Sequence, residues 1–203
     1  MSATKINIIL LGDANVGKTS LWNKYFNKDF NSNYIPTKGI DYLSNIIRQK
    51  YLNVKLIVAD TSGNDKFQSI WQSYSEDIDG VILVFDVTNK DSFENLDSWL
   101  TQLNKYKDDY LYVIVGNKID LENIREVNSN DVHKNDKFKK IKYFETSVKQ
   151  NINIRQPFEE LTKLILKKLD EVGSIYYNDN NEVKTFKIRN RDNSDKFGSH
   201  PCC

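Results

Sequence analysis

The stretch that most constrains this chain is GDANVGKT, Gly12 to Thr19. It fits G-x-x-x-x-G-K-[ST] and lies where that pattern has a mechanism. The apolar run INIILL (Ile6–Leu11) precedes it and a helix-like stretch, Gly17–Phe26, follows it. A strand ending in such a loop brings converging backbone N–H groups and a helix N-terminus to one point, which is a site for a multiply charged anion. Asp13, Ala14, Asn15, Val16, Gly17, Lys18, Thr19 and Ser20 are therefore the expected phosphate cradle. Lys18 is expected to reach the β- and γ-phosphates of a nucleotide, and the Thr19 hydroxyl to bind Mg²⁺. The loop alone selects neither adenine nor guanine, nor hydrolysis over transfer to a substrate.

A loop of this kind needs a buried sheet behind it, and the chain supplies one. VKLIVA (Val54–Ala59), VILVFDV (Val81–Val87) and LYVIVGN (Leu111–Asn117) join the first run, and the last two are nearly continuous, as for strands covered on both faces. Helical stretches alternate with them. Ser92–Tyr106 carries Phe93, Leu96, Leu100 and Leu103 at helical spacing, with Asp91 or Ser92 as cap. Pro157–Val172 carries Phe158, Leu161, Leu164, Ile165 and Leu169. The order predicts an α/β fold with right-handed crossovers, and the closely spaced Tyr42–Tyr51 and Asn53–Ala59 predict one antiparallel hairpin.

The remaining bounds exclude several classes. At 203 residues the chain accommodates one good-sized domain, residues 1–172, with 173–203 left over as a polar, aperiodic segment expected to be a flexible tail. The net charge of +1 argues against nucleic acid as a partner. No apolar run approaches the ~18 residues of a membrane span, and MSATKINIIL reads as a core strand rather than a signal peptide. The two cysteines, Cys202 and Cys203, are adjacent, so they frame no disulfide scaffold. His133 and His200 have no evident partners and are expected to be solvated.

Four further stretches carry chemistry. NKID, Asn117 to Asp120, follows the strand LYVIV. A carboxylate there accepts from both N1–H and the 2-amino group of guanine, whereas adenine offers it a lone pair; Lys118 can lie along the base. ETSVK, Glu145 to Lys149, follows a short strand at Lys142–Phe144. Its backbone amides at Ser147, Val148 and Lys149 can meet the guanine O6. Asp60, at the end of VKLIVA, is placed to hold Mg²⁺ through water, and the Gly63 N–H to bond a γ-phosphate. Thr37, in the loop YIPTKGIDY, can complete the Mg²⁺ coordination when a third phosphate is present.

These five motifs, in this order, resemble a small GTPase of the Ras superfamily over about residues 5–172. The resemblance implies a P-loop NTPase G domain: a six-stranded, mostly parallel sheet with one antiparallel strand and about five helices. It implies GTP-on and GDP-off states with Mg²⁺, and Phe30 against the guanine. The terminal Cys-Cys resembles the Rab branch, whose members are prenylated on such a pair; the C-a-a-X pattern is not matched. KFQSIW, LVFDVTNKDSFENLDSW, GNKIDLEN and YFETSVK look most like the late-endosomal, lysosomal or vacuolar subfamily. That in turn implies an exchange factor, a GTPase-activating protein, effectors, an escort protein and a GDP-dissociation inhibitor. It also implies a place on the cytosolic face of an endomembrane.

The chain departs from the family at its second switch. The usual W-D-T-A-G-Q-E is here A-D-T-S-G-N-D, Ala59 to Asp65. Asn64 takes the place of the Gln that orients the attacking water, so Asn64, Lys18 and Thr37 are the expected catalytic set, with slow intrinsic hydrolysis. Ala59 replaces an effector-facing Trp, with Tyr42 and Tyr74 kept, and Lys38 replaces an Ile, which predicts altered partners. Three rival readings follow: a P-loop kinase, for which no Arg-rich lid is evident; a GTP-loaded scaffold that does not hydrolyse; and an ATPase, against which Asp120 speaks.

Overall fold

The computed structural model describes residues 4–29, 36–37, 39–49, 52–63, 75–107, 110–172, 175–177 and 183–185. Phe30, Lys38, Asn64, Asp65, Tyr74, His200, Cys202 and Cys203 lie outside them. Six strands form one sheet: β1 (Thr4–Leu11), β2 (Ile40–Gln49), β3 (Leu52–Thr61), β4 (Gly80–Asp86), β5 (Leu111–Asn117) and β6 (Lys142–Thr146). Their order is β2-β3-β1-β4-β5-β6. Only β2 within this sheet runs antiparallel, paired to β3 from Ile40 opposite Thr61 to Gln49 opposite Leu52. From β1 the chain passes outward to β2 and β3, and after β3 it returns past β1 to β4 on the other side, so the strand order reverses at β1 and a crevice opens beyond its carboxyl end, where ligands of open α/β sheets bind.

Five α-helices are found among the described residues: α1 (Lys18–Tyr25), α2 (Lys90–Glu94), α3 (Leu96–Leu103), α4 (Ser129–Lys134) and α5 (Gln156–Glu171). They cover both faces of the sheet. On one face Ile6, Ile8 and Leu10 of β1 and Ile82 and Val84 of β4 pack in a core with Leu21, Trp22 and Tyr25 of α1 and Phe158, Leu161 and Ile165 of α5. On the other, Ile9 and Leu11 of β1 and Val81, Leu83 and Phe85 of β4 join Phe93, Leu96, Trp99, Leu103 and Val132. Burying both sets is what makes these strands read as unbroken apolar runs. Across the first core Phe158 stacks on Tyr25 with ring centroids 4.0 Å apart, a pairing worth ~0.5–1.5 kcal/mol beyond the area it buries.

Several boundaries differ from the sequence expectation. The helix predicted from Ser92 starts at Lys90, and its cap is Asn89, whose side chain accepts from the Ser92 N–H at 3.0 Å. It passes through Asn95 in helical geometry into α3, which ends at Leu103 rather than Tyr106. The expected β2, Tyr42–Tyr51, begins two residues earlier. Helix α4 was not expected, because six polar-rich residues with one buried apolar side chain, Val132, give no period to read. Its His133 is exposed but not without a partner: Nδ1 lies 2.7 Å from the Ser129 carbonyl oxygen, and the ring meets Tyr143 edge-on. The segment expected to be an aperiodic tail contains a short antiparallel pair, β7 (Ile175–Tyr177) and β8 (Val183–Thr185), consistent with the strand propensity of Ile, Tyr, Val and Thr.

Candidate nucleotide and metal site

The phosphate loop leaves β1 at Leu11 and enters α1 at Lys18. Gly12 starts it with φ +142, where a Cβ would stand 2.0 Å from the Val84 carbonyl oxygen. The loop can therefore press against β4 only because position 12 has no side chain. Gly12→Ala should cost on the order of 3 kcal/mol, from backbone strain and a steric clash of ~1–3 kcal/mol each. Urea unfolding of the two proteins at matched nucleotide concentration checks this. Lys18 is 5 % exposed, and its Nζ donates to the carbonyls of Gly12 at 2.8 Å and Asp13 at 2.7 Å. Burial lowers its pKa to about 8, against the opposing pull of Asp60 and Asp13. The amine is thus held by the first two carbonyls of the loop itself.

Beside it, three oxygens from three separate segments converge. The Thr19 hydroxyl donates to Asp60 Oδ2 at 2.6 Å and lies 2.8 Å from the Thr37 hydroxyl, and Thr37 reaches Asp60 Oδ2 at 3.4 Å. Asp60 is fully buried, and its Oδ1 has no hydrogen-bond partner among the described residues. Desolvation raises its pKa to about 6, with Thr19 and Lys18 working the other way. An orphaned buried carboxylate oxygen is costly unless something electropositive takes it. Hard oxygen donors with one carboxylate suit Mg²⁺, which keeps several waters and shares its remaining positions with phosphates. These residues fit the ion.

The NKID and ETSVK segments are tied to the same loop. Asn117 is 2 % exposed; its Nδ2 donates to the Val16 carbonyl at 3.0 Å, and its Oδ1 accepts from the Thr146 hydroxyl at 3.0 Å. One amide thus joins the phosphate loop, the end of β5 and the end of β6. Lys118 follows in left-handed geometry, φ +69, and its Nζ is 2.6 Å from Asp86 Oδ2. Asp120 accepts from the Ser147 hydroxyl at 2.6 Å, and Ser147 Oγ in turn accepts from the Gln150 N–H at 3.0 Å. NKID and ETSVK, 28 residues apart by first residue (145 − 117), are therefore one surface.

A model of the Ras family matches residues 7–167. The chain belongs to the Ras family. It is also similar to the "Ras-related protein Rab-2B" of Dictyostelium discoideum, 36 % identical over 174 residues that span 85 % of this chain and 86 % of that one. Like other Ras-family small GTPases, the protein binds GTP and GDP with Mg²⁺ and hydrolyses GTP to GDP and phosphate.

Within this Ras-family site the structure brings together Lys18, Thr19, Thr37, Asp60 and Gly63 on one side and Asn117, Lys118, Asp120 and Ser147 on the other. Val148 is buried in the core, while Lys149 is exposed. Phe30 and Asn64 lie outside the described residues, as do Lys38 and Tyr74 of the expected partner surface. Ala59 is only 6 % exposed; its cross-strand neighbour Tyr42 is 44 % exposed, so Tyr42 is the one that contributes surface.

Sequence reasoning missed a supporting set. Asp86, at the end of β4, holds Lys118 and also accepts from the Thr88 N–H and hydroxyl. Arg125 donates to Glu145 Oε1 at 2.9 Å, to Glu122 at 2.7 Å and to the Val127 carbonyl, and Tyr143 OH donates to Glu145 at 3.0 Å. Burial pushes the Tyr143 phenol up, with Glu145 adding to it, so it stays a donor. This network braces the 3₁₀ segment carrying Asp120, Ile119–Ile124, against β6 carrying the ETSVK loop. A strand-end carboxylate such as Asp86 was a readable signal; Arg125 gave none.

Proposed function

We propose that this Ras-family GTPase is a Rab-like switch that regulates vesicular membrane traffic, GTP-bound when on and GDP-bound when off. The observation that carries the switch is the convergence of Thr19, Thr37 and Asp60 around one carboxylate oxygen that has no partner among the described residues, beside Lys18. Thr37 belongs to a loop and Asp60 to the sheet, so a Mg²⁺-triphosphate that needs both would order the loop, and loss of the third phosphate would release it. Bound there, Mg²⁺ supplies charge neutralisation on the phosphates. Lys18 adds a fixed positive charge at their β and γ positions, and Gly63 sets an N–H toward the terminal one. Asp120 selects guanine, with Lys118 along the base and Ser147, Val148 and Lys149 at its O6. Phosphoryl transfer asks little more of a protein than such positioning and electrostatics, plus an oriented water, the role we assign to Asn64.

The membrane part rests on the Rab-named relative and on Cys202 and Cys203. Two prenyl chains meet the two-signal requirement for stable anchoring. Anchored through its last two residues, the domain stays accessible to an exchange factor, an activating protein, effectors, an escort protein and a dissociation inhibitor. The late endosome, lysosome or vacuole is the compartment we favour, on the resemblance of KFQSIW and YFETSVK. Domain limits of 1–172 and 173–203 go with this reading. Fractionation of cells expressing the Cys202→Ser/Cys203→Ser double variant is expected to move the protein from membranes to the soluble fraction with GDP binding intact. Retention on membranes overturns the anchor.

Asn64 favours one second reading, a GTP-loaded scaffold with little hydrolysis. Single-turnover GTP hydrolysis with and without a Rab-activating domain separates the two. Stimulated turnover is the result of a switch, and none under either condition is that of a scaffold.

A further inference from the structure

The phosphate loop contains an acid, Asp13, and a carboxylate is an odd neighbour for a triphosphate. Turned inward, it would repel every phosphate oxygen the loop is built to hold. The structure gives it another direction. Both of its oxygens are taken from the far side of the loop: Trp99 Nε1–H donates to Oδ1 at 2.8 Å and Asn95 Nδ2–H to Oδ2 at 2.7 Å. Trp99 is 3 % exposed and belongs to the core on the α2–α3 face of the sheet, whereas α1, which carries Lys18, packs on the opposite face. Asp13 is thus the point at which the second face of the sheet grips the phosphate loop.

The backbone of the same residue is occupied too. Its carbonyl accepts from Lys18 Nζ at 2.7 Å, and a Cβ placed on Gly63 would stand 2.3 Å from Asp13 C and 2.3 Å from Ala14 N. One peptide unit therefore touches the amine expected on the phosphates and the glycine expected to respond to the third of them. Two N–H donors on one carboxylate hold the side chain in a single rotamer, and so anchor the residue whose peptide Lys18 and Gly63 meet.

We propose that Asp13 is a positioning residue of the nucleotide site, clamped by Asn95 and Trp99. The clamp keeps the acid turned from the phosphates and sets the carbonyl that aims Lys18. This rests on the reading of Gly12–Thr19 as the phosphate loop. It adds to that reading a link from the α2–α3 junction to the reacting end of the nucleotide.

The test uses full-length protein with GDP and Mg²⁺. Trp99→Phe keeps the aromatic bulk and removes only the donor; Asn95→Ala changes an exposed residue and leaves the core alone. Each is expected to speed release of a fluorescent GDP by roughly 10-fold, the order that a hydrogen bond to a charged group carries. In an Asp13→Ala background, itself fast, neither should add anything further. The ³¹P resonance of the bound β-phosphate should move in all three, which a general loosening of the fold would not produce. Unchanged release and resonance in folded Asn95→Ala and Trp99→Phe overturn the clamp, as do effects that simply add to that of Asp13→Ala. Wild-type protein that holds no GDP would sink the phosphate-loop reading as well, and is thereby told apart from failure of the clamp alone.

Discussion

Asp120→Ala is expected to lower the preference for GDP over ADP by up to ~10⁴, the range available to a site built to hydrogen-bond its ligand. Asp120 is the second residue of the 3₁₀ segment Ile119–Ile124, and the Ser147 hydroxyl fixes one of its oxygens at 2.6 Å. On the reading proposed above, the carboxylate would receive two donors from guanine, whereas adenine would present an acceptor to the same atoms. Its removal should do little to the sheet, because Ser147 keeps its bond from the Gln150 N–H and Asn117 still joins β5 to Val16. The measurement is a competition between guanine and adenine nucleotides for wild-type and variant, with Mg²⁺ present. Equal selectivity in the two would place base recognition elsewhere.

Asn64→Gln is expected to raise single-turnover GTP hydrolysis, by up to ~100-fold. An Asn amide has the chemistry of Gln but an arm shorter by one methylene, about 1.5 Å. In-line attack on a phosphoryl group depends on placing one water, and a displacement of ~1 Å can cost on the order of 100-fold. Hydrolysis without an activating partner is already slow in small GTPases. The natural Asn64 should make the protein still more dependent on a partner to turn off. Rapid-quench assays of pre-loaded protein provide the number, and a rate that stays level or falls on substitution disposes of the steric account.

The parts of this molecule that could be read from its sequence are those in which the signal is local or periodic. β5 runs from Leu111 to Asn117, as expected, because a strand buried on both faces is an apolar run bounded by polar residues. The phosphate loop and NKID were legible because each sits at a strand end and carries residue types that one chemistry needs. Pairings between distant side chains were not legible. Nothing local in Trp99 says that its indole holds Asp13, 86 residues away, and nothing in Lys118 points to Asp86. Asn89, Asp91 and Ser92 are all good capping residues, so residue type does not single out Asn89; backbone geometry decides among them. The short pair β7–β8 sits in a polar stretch with no hydrophobic alternation, so composition pointed away from it.

The unpartnered oxygen of Asp60 has a consequence for the life of the protein outside catalysis. A ligand that binds the folded chain and not the unfolded one stabilises it by mass action, by about 4.1 kcal/mol at a thousandfold excess over the dissociation constant. Much of the marginal stability of a domain this size can be supplied in that way. Loss of nucleotide would then remove that support, and whatever ejects one guanine nucleotide would do best to stay in place until the next arrives.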